Sequence, residues 1–298
     1  MQPFLKWPGG KRWVAETIAK FIRKHLAGTY YEPFLGGGAV FFHLLPEKAV
    51  LADINSDLVL AYQTVQSEYE AVLEEVRAMD VSKQEYYRIR AMVPRTNITK
   101  TARFLYLNRT AFGGMYRLNS NGQFNVPFGG GQRTPAPLWE RDLLKNASDA
   151  LHGITIMCAD FEQTINMAGA GDVIYCDPTY TVTHDRNAFV RYNEKNFSWA
   201  DQKRLAKAAK AAVVRGATVL VSNAHHSSIR ELYLDAQVRH LKRRSLVSTD
   251  PAKRCEVREY LFIMTPNRDD NLSNRVKRGG VDRKIELTPL RHLKMTPP

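Results

Sequence analysis

Asp177-Pro178-Thr179-Tyr180 directly follows the apolar run Val173-Ile174-Tyr175-Cys176. Such a run reads as a buried strand, which sets the Asp177 carboxylate at a strand's carboxyl end, where open α/β sheets form ligand crevices. Pro178 contributes a carbonyl and carries no N–H of its own. Tyr180 adds an aromatic face. This combination suits the exocyclic amine of a nucleobase, whose lone pair is delocalised into the ring and is a poor nucleophile. Asp177 accepts one amine hydrogen and the Pro178 carbonyl accepts the other. Together they favour the geometry that frees the lone pair, and they stabilise positive character as it attacks an electrophile. Tyr180 stacks on the base and holds it in line. The extra proton then leaves to Asp177 or to water, and the sequence does not choose between them. No covalent enzyme intermediate and no metal is required. An ordinary Asp-Pro turn after a core strand is the plainer reading of the dipeptide alone.

A second constellation lies near the start of the chain. Glu32-Pro33-Phe34-Leu35-Gly36-Gly37-Gly38 follows Tyr30-Tyr31, and Asp53 ends the run Ala49-Val50-Leu51-Ala52. Glycines after a strand permit a tight turn and close approach of a ligand. A carboxylate at the end of the next strand can accept from both hydroxyls of a ribose. The GxGxxG and GxxxxGK[ST] patterns of dinucleotide and phosphate loops are absent, so a pyrophosphate is not expected. S-adenosylmethionine fits better: it needs a clamp on its sugar, room for a sulfonium and partners for a charged amino-acid end. Lys6 and the turn Gly9-Gly10-Lys11 are placed to meet that end, and Asp160 with Phe161 to meet the adenine. For Gly36–Gly38 and Asp53 the plainer alternatives are a simple strand–helix turn and a solvated cap.

The elements that must position these residues are those of a doubly wound α/β domain. A helix carries the stripe Val14, Ile18, Phe21, Ile22 and stops near Gly28. Strands are expected over 30–35 and 49–54, separated by a helix from Ala39 to Leu45. Residues 58–92 read as helical and polar. Residues 94–137, with Pro94, several basic residues and a Gly/Pro-rich stretch from Gly122, read as an inserted recognition module. Strands return at 154–157, 172–176, 217–221 and 260–264. Ser198 caps a helix over 199–214, with Asp201 as a partner for a capping box. Residues 181–197 read as a loop over the site. Asn223, after the 217–221 strand, either orients the pocket or caps. The expected divisions are residues 1–57 and 150–266 for the catalytic domain, 58–149 for the insertion, and a basic tail over 267–298 with the composition of a flexible segment.

The chain has 298 residues and a formal net charge of +13, which points to a polyanionic partner, with nucleic acid ahead of a membrane surface. Cys158, Cys176 and Cys255 form neither a zinc framework nor a disulfide scaffold. The first residues lack a signal peptide's apolar core, and no apolar run approaches the ~20 residues of a membrane span. The expected setting is the cytoplasm.

Three motifs in order now carry a resemblance. Phe4-Leu5-Lys6-Trp7-Pro8-Gly9-Gly10-Lys11, Glu32–Gly38 and Asp177–Tyr180 resemble the N-terminal, glycine-rich and DPPY motifs of the DNA adenine methyltransferases related to bacterial Dam. The match runs over residues 3–265 or so. It implies a Rossmann-like methyltransferase fold dependent on S-adenosylmethionine, with an inserted, mainly helical DNA-recognition domain containing a hairpin. The implied cofactor set is Trp7, Lys11, Glu32, Phe34, Gly36, Gly38, Asp53, Asp160, Phe161 and Asp177; Asp177, Pro178 and Tyr180 carry catalysis on adenine N6. Asn108–Asn119 and Phe124–Gly129 resemble the family's target-recognition signatures. By that likeness Phe112 wedges into the duplex, Met115 makes an apolar base contact, Arg117 reads guanine, and Asn125 and Pro127 lie at the bases, Pro127 at a thymine methyl. Arg109 and Arg133 contact phosphates, or are solvated surface charge. The implied partner is double-stranded DNA with GATC as target, on the nucleoid or phage DNA, bound by a monomer or weak dimer. Two positions depart from the pattern: Thr179 replaces a proline, which loosens the turn, and Gly113 stands where an asparagine is common. Alternatives are an RNA adenine methyltransferase and a non-catalytic DNA-binding module.

Overall fold

A computed structural model describes residues 1–119, 121–130, 141–181, 197–244 and 256–266, and Arg133 and the 267–298 tail lie outside these. Among the described residues seven strands make one sheet: β1 Tyr30–Glu32, β2 Ala49–Asp53, β3 Thr155–Cys158, β4 Val173–Cys176, β5 Thr218–Ala224, β6 Gln237–Arg244 and β7 Glu256–Met264. Their spatial order is β3-β2-β1-β4-β5-β7-β6. Strands β3 to β5 across the sheet pair in parallel, while β7 runs antiparallel to both β5 and β6. This is the expected Rossmann-like α/β sheet. Both faces of β4 and β5 are buried, so β4 reads as a continuous apolar run and β5 is apolar through Val219-Leu220-Val221.

Helices follow from local signals. Helix α1, Ala15–His25, buries Ala15, Ile18, Ala19 and Ile22 on one side, and ends before the expected Gly28. Helix α2, Ala39–Leu44, starts from Gly38 at φ 63°. A side chain at Gly38 would come within 2.8 Å of the Tyr62 hydroxyl, so glycine answers two demands there. The strand expected over 30–35 stops at Glu32, since Pro33 cannot donate to a ladder and the chain is already turning.

Between β2 and β3 the described residues are mainly helical. The expected 58–92 segment is two helices, α3 Ser56–Arg77 and α4 Lys83–Ala91, each begun by a side-chain cap from Asn55 and Ser82. Helix α5, Asn97–Thr110, begins with a capping box between Thr96 and Thr99. It packs against α3, burying Ala102, Leu105, Tyr106 and Leu107. It is followed by a one-turn 3-10 segment, Phe112–Gly114, and by bridges Ala111–Phe128 and Leu118–Phe124 that make a small hairpin. Helix α6, Arg141–Leu151, returns to the sheet. Beyond β3 come α7 Phe161–Asn166, α8 Trp199–Val214 and α9 Ser227–Leu232. The expected Ser198–Asp201 capping box at α8 is formed in both directions. No helix of the described residues is long and apolar enough to cross a membrane.

Candidate active site

Strands β2, β1 and β4 lie side by side and parallel; β2 and β1 end in Asp53 and Glu32, and Asp177 directly follows the last residue of β4. From β1 the sheet grows through β2 and β3 on one side and through β4 and β5 on the other. The boundary between β1 and β4 is therefore the topological switch point, where such sheets open a crevice. Three carboxylates reach it because each is the residue at, or just after, the end of an apolar strand.

Asp177 does not stand alone there. The Lys11 ammonium lies 2.8 Å from Asp177 Oδ1 and 3.4 Å from Glu259 Oε2, and donates to the Gly9 carbonyl at 3.1 Å. It sits 4.9 Å from the centre of the Tyr180 ring. The Tyr180 hydroxyl donates to Glu259 Oε2 at 2.8 Å. Burial, together with the charges of Asp177 and Glu259, raises that phenol well above its ordinary range, so it stays a neutral donor. The sequence places Lys11 at the cofactor's amino-acid end; in the structure its ammonium contacts the Asp177 carboxylate. Glu259 was missed. Its one signal is a lone acid opening the apolar run Tyr260–Met264.

Pro178 is buried, and the loop beyond it is held from α8. Gln202 donates to the Thr181 hydroxyl at 3.1 Å and accepts from Asn223 at 2.9 Å. Asn223 thus supports the Asp177–Thr181 segment through Gln202. Thr179 is exposed, so a side chain other than proline meets no obstruction there.

On the other side of the switch point, Asp53 accepts from the backbone N–H of Gly36 and of Asn55, each at 3.0 Å. Burial raises its carboxyl, while these two hydrogen bonds oppose the rise. Gly36 has φ 47°, and a side chain there would meet the Trp7 ring at 2.9 Å. Trp7 therefore packs on the glycine turn. Glu32 is buried beside the Tyr30 hydroxyl, which donates at 2.8 Å. Burial pushes its carboxyl up to about 8, with the Asp177 charge adding to the rise. Phe34 stacks on Phe161 at 5.3 Å, and Phe197 meets both rings edgewise or tilted at 5.5 and 5.6 Å. Phe197 is the last residue of the expected 181–197 loop, and nothing in its local sequence marks it as a member of this cluster. Asp160 caps α7 through the Glu162 N–H and pairs with Arg204 at 2.9 Å.

The N-terminal motif ties these features to the hairpin. Asn108 grips Lys6 from both sides, accepting its N–H at 2.9 Å and donating to its carbonyl at 2.6 Å. Arg109 donates to the Phe4 carbonyl at 2.6 Å, so this half-buried guanidinium anchors the N-terminal segment. Trp7 also stacks on Tyr116 at 5.7 Å, and Tyr116 donates to Asp57 at 2.7 Å. In the hairpin, Phe112 is 58% exposed despite its size, and its N–H bonds to the carbonyl of the exposed Pro127 at 2.9 Å. Met115 is half-buried. Arg117 is exposed and donates from Nε to the Asn125 side chain at 2.8 Å. Phe112, Arg117, Asn125 and Pro127 thus share one small hairpin.

The residues present suit S-adenosylmethionine. Among the described residues, and with Glu32 protonated, the carboxylates of Asp53, Asp177 and Glu259 still outnumber the ammonium of Lys11, which favours a cationic ligand. Gly36 and Gly38 keep the turn free of side chains where a Cβ would collide.

A family model described as D12 class N6 adenine-specific DNA methyltransferase matches residues 7–247. A DNA adenine methylase of Vibrio cholerae is 35% identical over 271 residues, covering 89% of this chain and 96% of that one. A type II methyltransferase of Lactococcus lactis subsp. cremoris is 34% identical over 253 residues, covering 81% and 88%. Another type II methyltransferase, from Methanocaldococcus jannaschii, is 32% identical over 288 residues, covering 89% and 99%. With most of its length matched by the family model and by relatives above 30% identity, this chain belongs to the D12 class of N6 adenine-specific DNA methyltransferases.

Proposed function

We propose that this chain methylates adenine N6 within GATC in double-stranded DNA, on a base turned out of the duplex. The observation that carries the reading is Asp177 at the switch point, with the Tyr180 ring three residues on and held at its hydroxyl. S-adenosylmethionine, when bound, supplies an electrophilic methyl group on a sulfonium. Asp53 would hold its ribose, Phe34, Phe161 and Asp160 its adenine, Trp7 and Gly36–Gly38 the wall of its pocket, and Glu32 with Lys11 its amino-acid end.

Asp177 accepts one N6 hydrogen and the Pro178 carbonyl the other, which keeps the amine in the geometry that exposes its lone pair. Tyr180 stacks on the base and fixes its plane. As positive character grows on nitrogen, the Asp177 carboxylate stabilises it. On the DNA side, residues 58–149 serve as the recognition insertion. Phe112 fills the gap left in the stack, which offsets part of the unstacking energy. Arg117 reads guanine, steered by Asn125, while Met115 and Pro127 make apolar contacts. Arg109 and Arg133 are left as phosphate contacts that position without specifying.

The test is methyl transfer into a randomised duplex library, with modified adenines mapped on single molecules and matched RNA run in parallel. Product on N6 within GATC is expected. Product in RNA alone, or on another atom, would overturn the reading. The Asp177→Ala variant should lose nearly all turnover while still binding S-adenosylmethionine; retained turnover would remove the assigned chemistry.

A further inference from the structure

We infer that Glu259 is a positioning residue for methyl transfer, holding the hydroxyl of Tyr180 and the ammonium of Lys11 on one carboxylate oxygen. The inference rests on the proposed roles of Asp177 and Tyr180.

Tyr180 lies outside any helix or strand, in a segment that runs away from β4. A tyrosine ring on such a segment can swing about χ1 and spin about χ2. An anchor at its hydroxyl fixes χ1, while the in-plane preference of the phenol O–H and the Lys11 ammonium 4.9 Å from the ring centre restrain χ2. Glu259 provides that anchor, at 2.8 Å. The anchor is rigid. Glu259 sits on β7 between two neighbours, paired with Ala224 on β5 and with Leu241 on β6, and is only 2% exposed.

The same oxygen also faces Lys11 at 3.4 Å, and Lys11 reaches on to Asp177 at 2.8 Å. The stacking ring and the amine-accepting carboxylate are therefore coupled through a residue that enters from the antiparallel strand. A buried carboxylate is stable only when paired and hydrogen-bonded. Tyr180 and Lys11 meet that requirement for Glu259, so displacing either is unfavourable and both are held in place. An ion pair that served stability alone would need only Lys11. Donation from Tyr180 is the feature that points to alignment of the base.

Three variants and a double variant test this on the full chain with a duplex substrate. Rates are measured before the steady state with substrate in excess, and the burst amplitude reports active enzyme, so that misfolded protein lowers amplitude and not the burst rate constant. Glu259→Ala and Tyr180→Phe should each slow transfer about ten- to a hundredfold, the scale expected of a small misalignment. The KM for S-adenosylmethionine should move less than about threefold, since the ring acts on the base. Glu259→Gln keeps an oxygen that can accept from Tyr180 and should restore part of the rate lost in Glu259→Ala. The double variant Glu259→Ala/Tyr180→Phe should be no slower than the slower single variant, because both remove one interaction. A 2-aminopurine at the target position should show reduced quenching in both single variants. Additive losses in the double variant, or an unchanged normalised rate in Glu259→Ala, would overturn the inference. A parallel Asp177→Ala sample separates the cases: if it too keeps its rate, the site assignment fails; if it alone is inactive, only the role of Glu259 falls.

Discussion

The ammonium of Lys11 lies 2.8 Å from the carboxylate of Asp177, with the two side chains 4% and 19% exposed. An N-terminal motif residue and the residue at the end of β4 thus form one electrostatic unit. Lys11 has a second carboxylate in Glu259. Removing the ammonium leaves two carboxylates near one another with little water to screen them.

Replacing Lys11 with methionine keeps the stem and deletes the charge. The change should destabilise the fold by about 3 kcal/mol, the order found when one partner of a buried pair is lost. Lys11→Arg should retain more of the stability than methionine does, although its planar fork suits the site less well. Urea unfolding of the three proteins measures this. A methionine variant with the midpoint of the parent would show that the pair contributes nothing net.

Arg117 and Asn125 face each other across the hairpin, with Nε donating at 2.8 Å. That bond fixes the guanidinium plane and leaves its other N–H groups to face a base. Arg117→Ala should therefore relax discrimination at one base pair by about 1–3 kcal/mol, with the affinity for S-adenosylmethionine unchanged. Asn125→Ala should relax the same base pair by less. Comparing kcat/KM across duplexes with single substitutions in the site checks both. Unaltered preference in Arg117→Ala would end its base-reading role.

Glu32 supplies a pH dependence. Burial raises its carboxyl from an ordinary value of 4.5 to about 8. The folded protein therefore holds this proton in a window where the unfolded chain has released it. Stability should fall as pH rises from about 4.5 to about 8, and level off above that. Glu32→Gln mimics the protonated form and should remove this component. The difference in Tm between variant and parent, measured without cofactor, should grow in favour of glutamine across that window. A constant difference from acid to alkaline pH would show that Glu32 does not titrate this way.

Much of the site was legible because its residues sit at the ends of apolar strands. Val173–Cys176 announces a strand, and Asp177 then has only one place to be. Asp53 follows by the same logic. Glu259 was not legible, because β7 enters between β5 and β6 out of chain order, so its meeting with Tyr180, 79 positions away, depends on topology. Strand β6 escaped for a related reason: Arg239, His240, Lys242 and Arg243 interrupt any apolar alternation, as suits an edge strand. Helix α5 was hidden differently. Thr101, Ala102, Leu105, Tyr106, Asn108 and Thr110 are buried around much of its girth, which blurs the one-sided stripe that marks an amphipathic helix.

Gly113 and Gly38 both have φ near 63°, yet their surroundings differ. A side chain at Gly38 would strike the Tyr62 hydroxyl at 2.8 Å, whereas at Gly113 the nearest atom is Met115 Cγ at 3.8 Å. Asparagine tolerates the left-handed region better than other residues with a side chain. Gly113→Asn should therefore fold with a Tm close to the parent, whereas Gly38→Asn should be strongly destabilised. The added amide at position 113 lies beside the exposed Phe112, where a base's former partner would be left unpaired. It should sharpen the choice of target, visible as a higher ratio of kcat/KM between GATC and duplexes with one substitution. A folded Gly113→Asn protein whose ratio is unchanged would show that this position does not meet the bases. Loss of folding would show instead that the turn cannot accept a side chain.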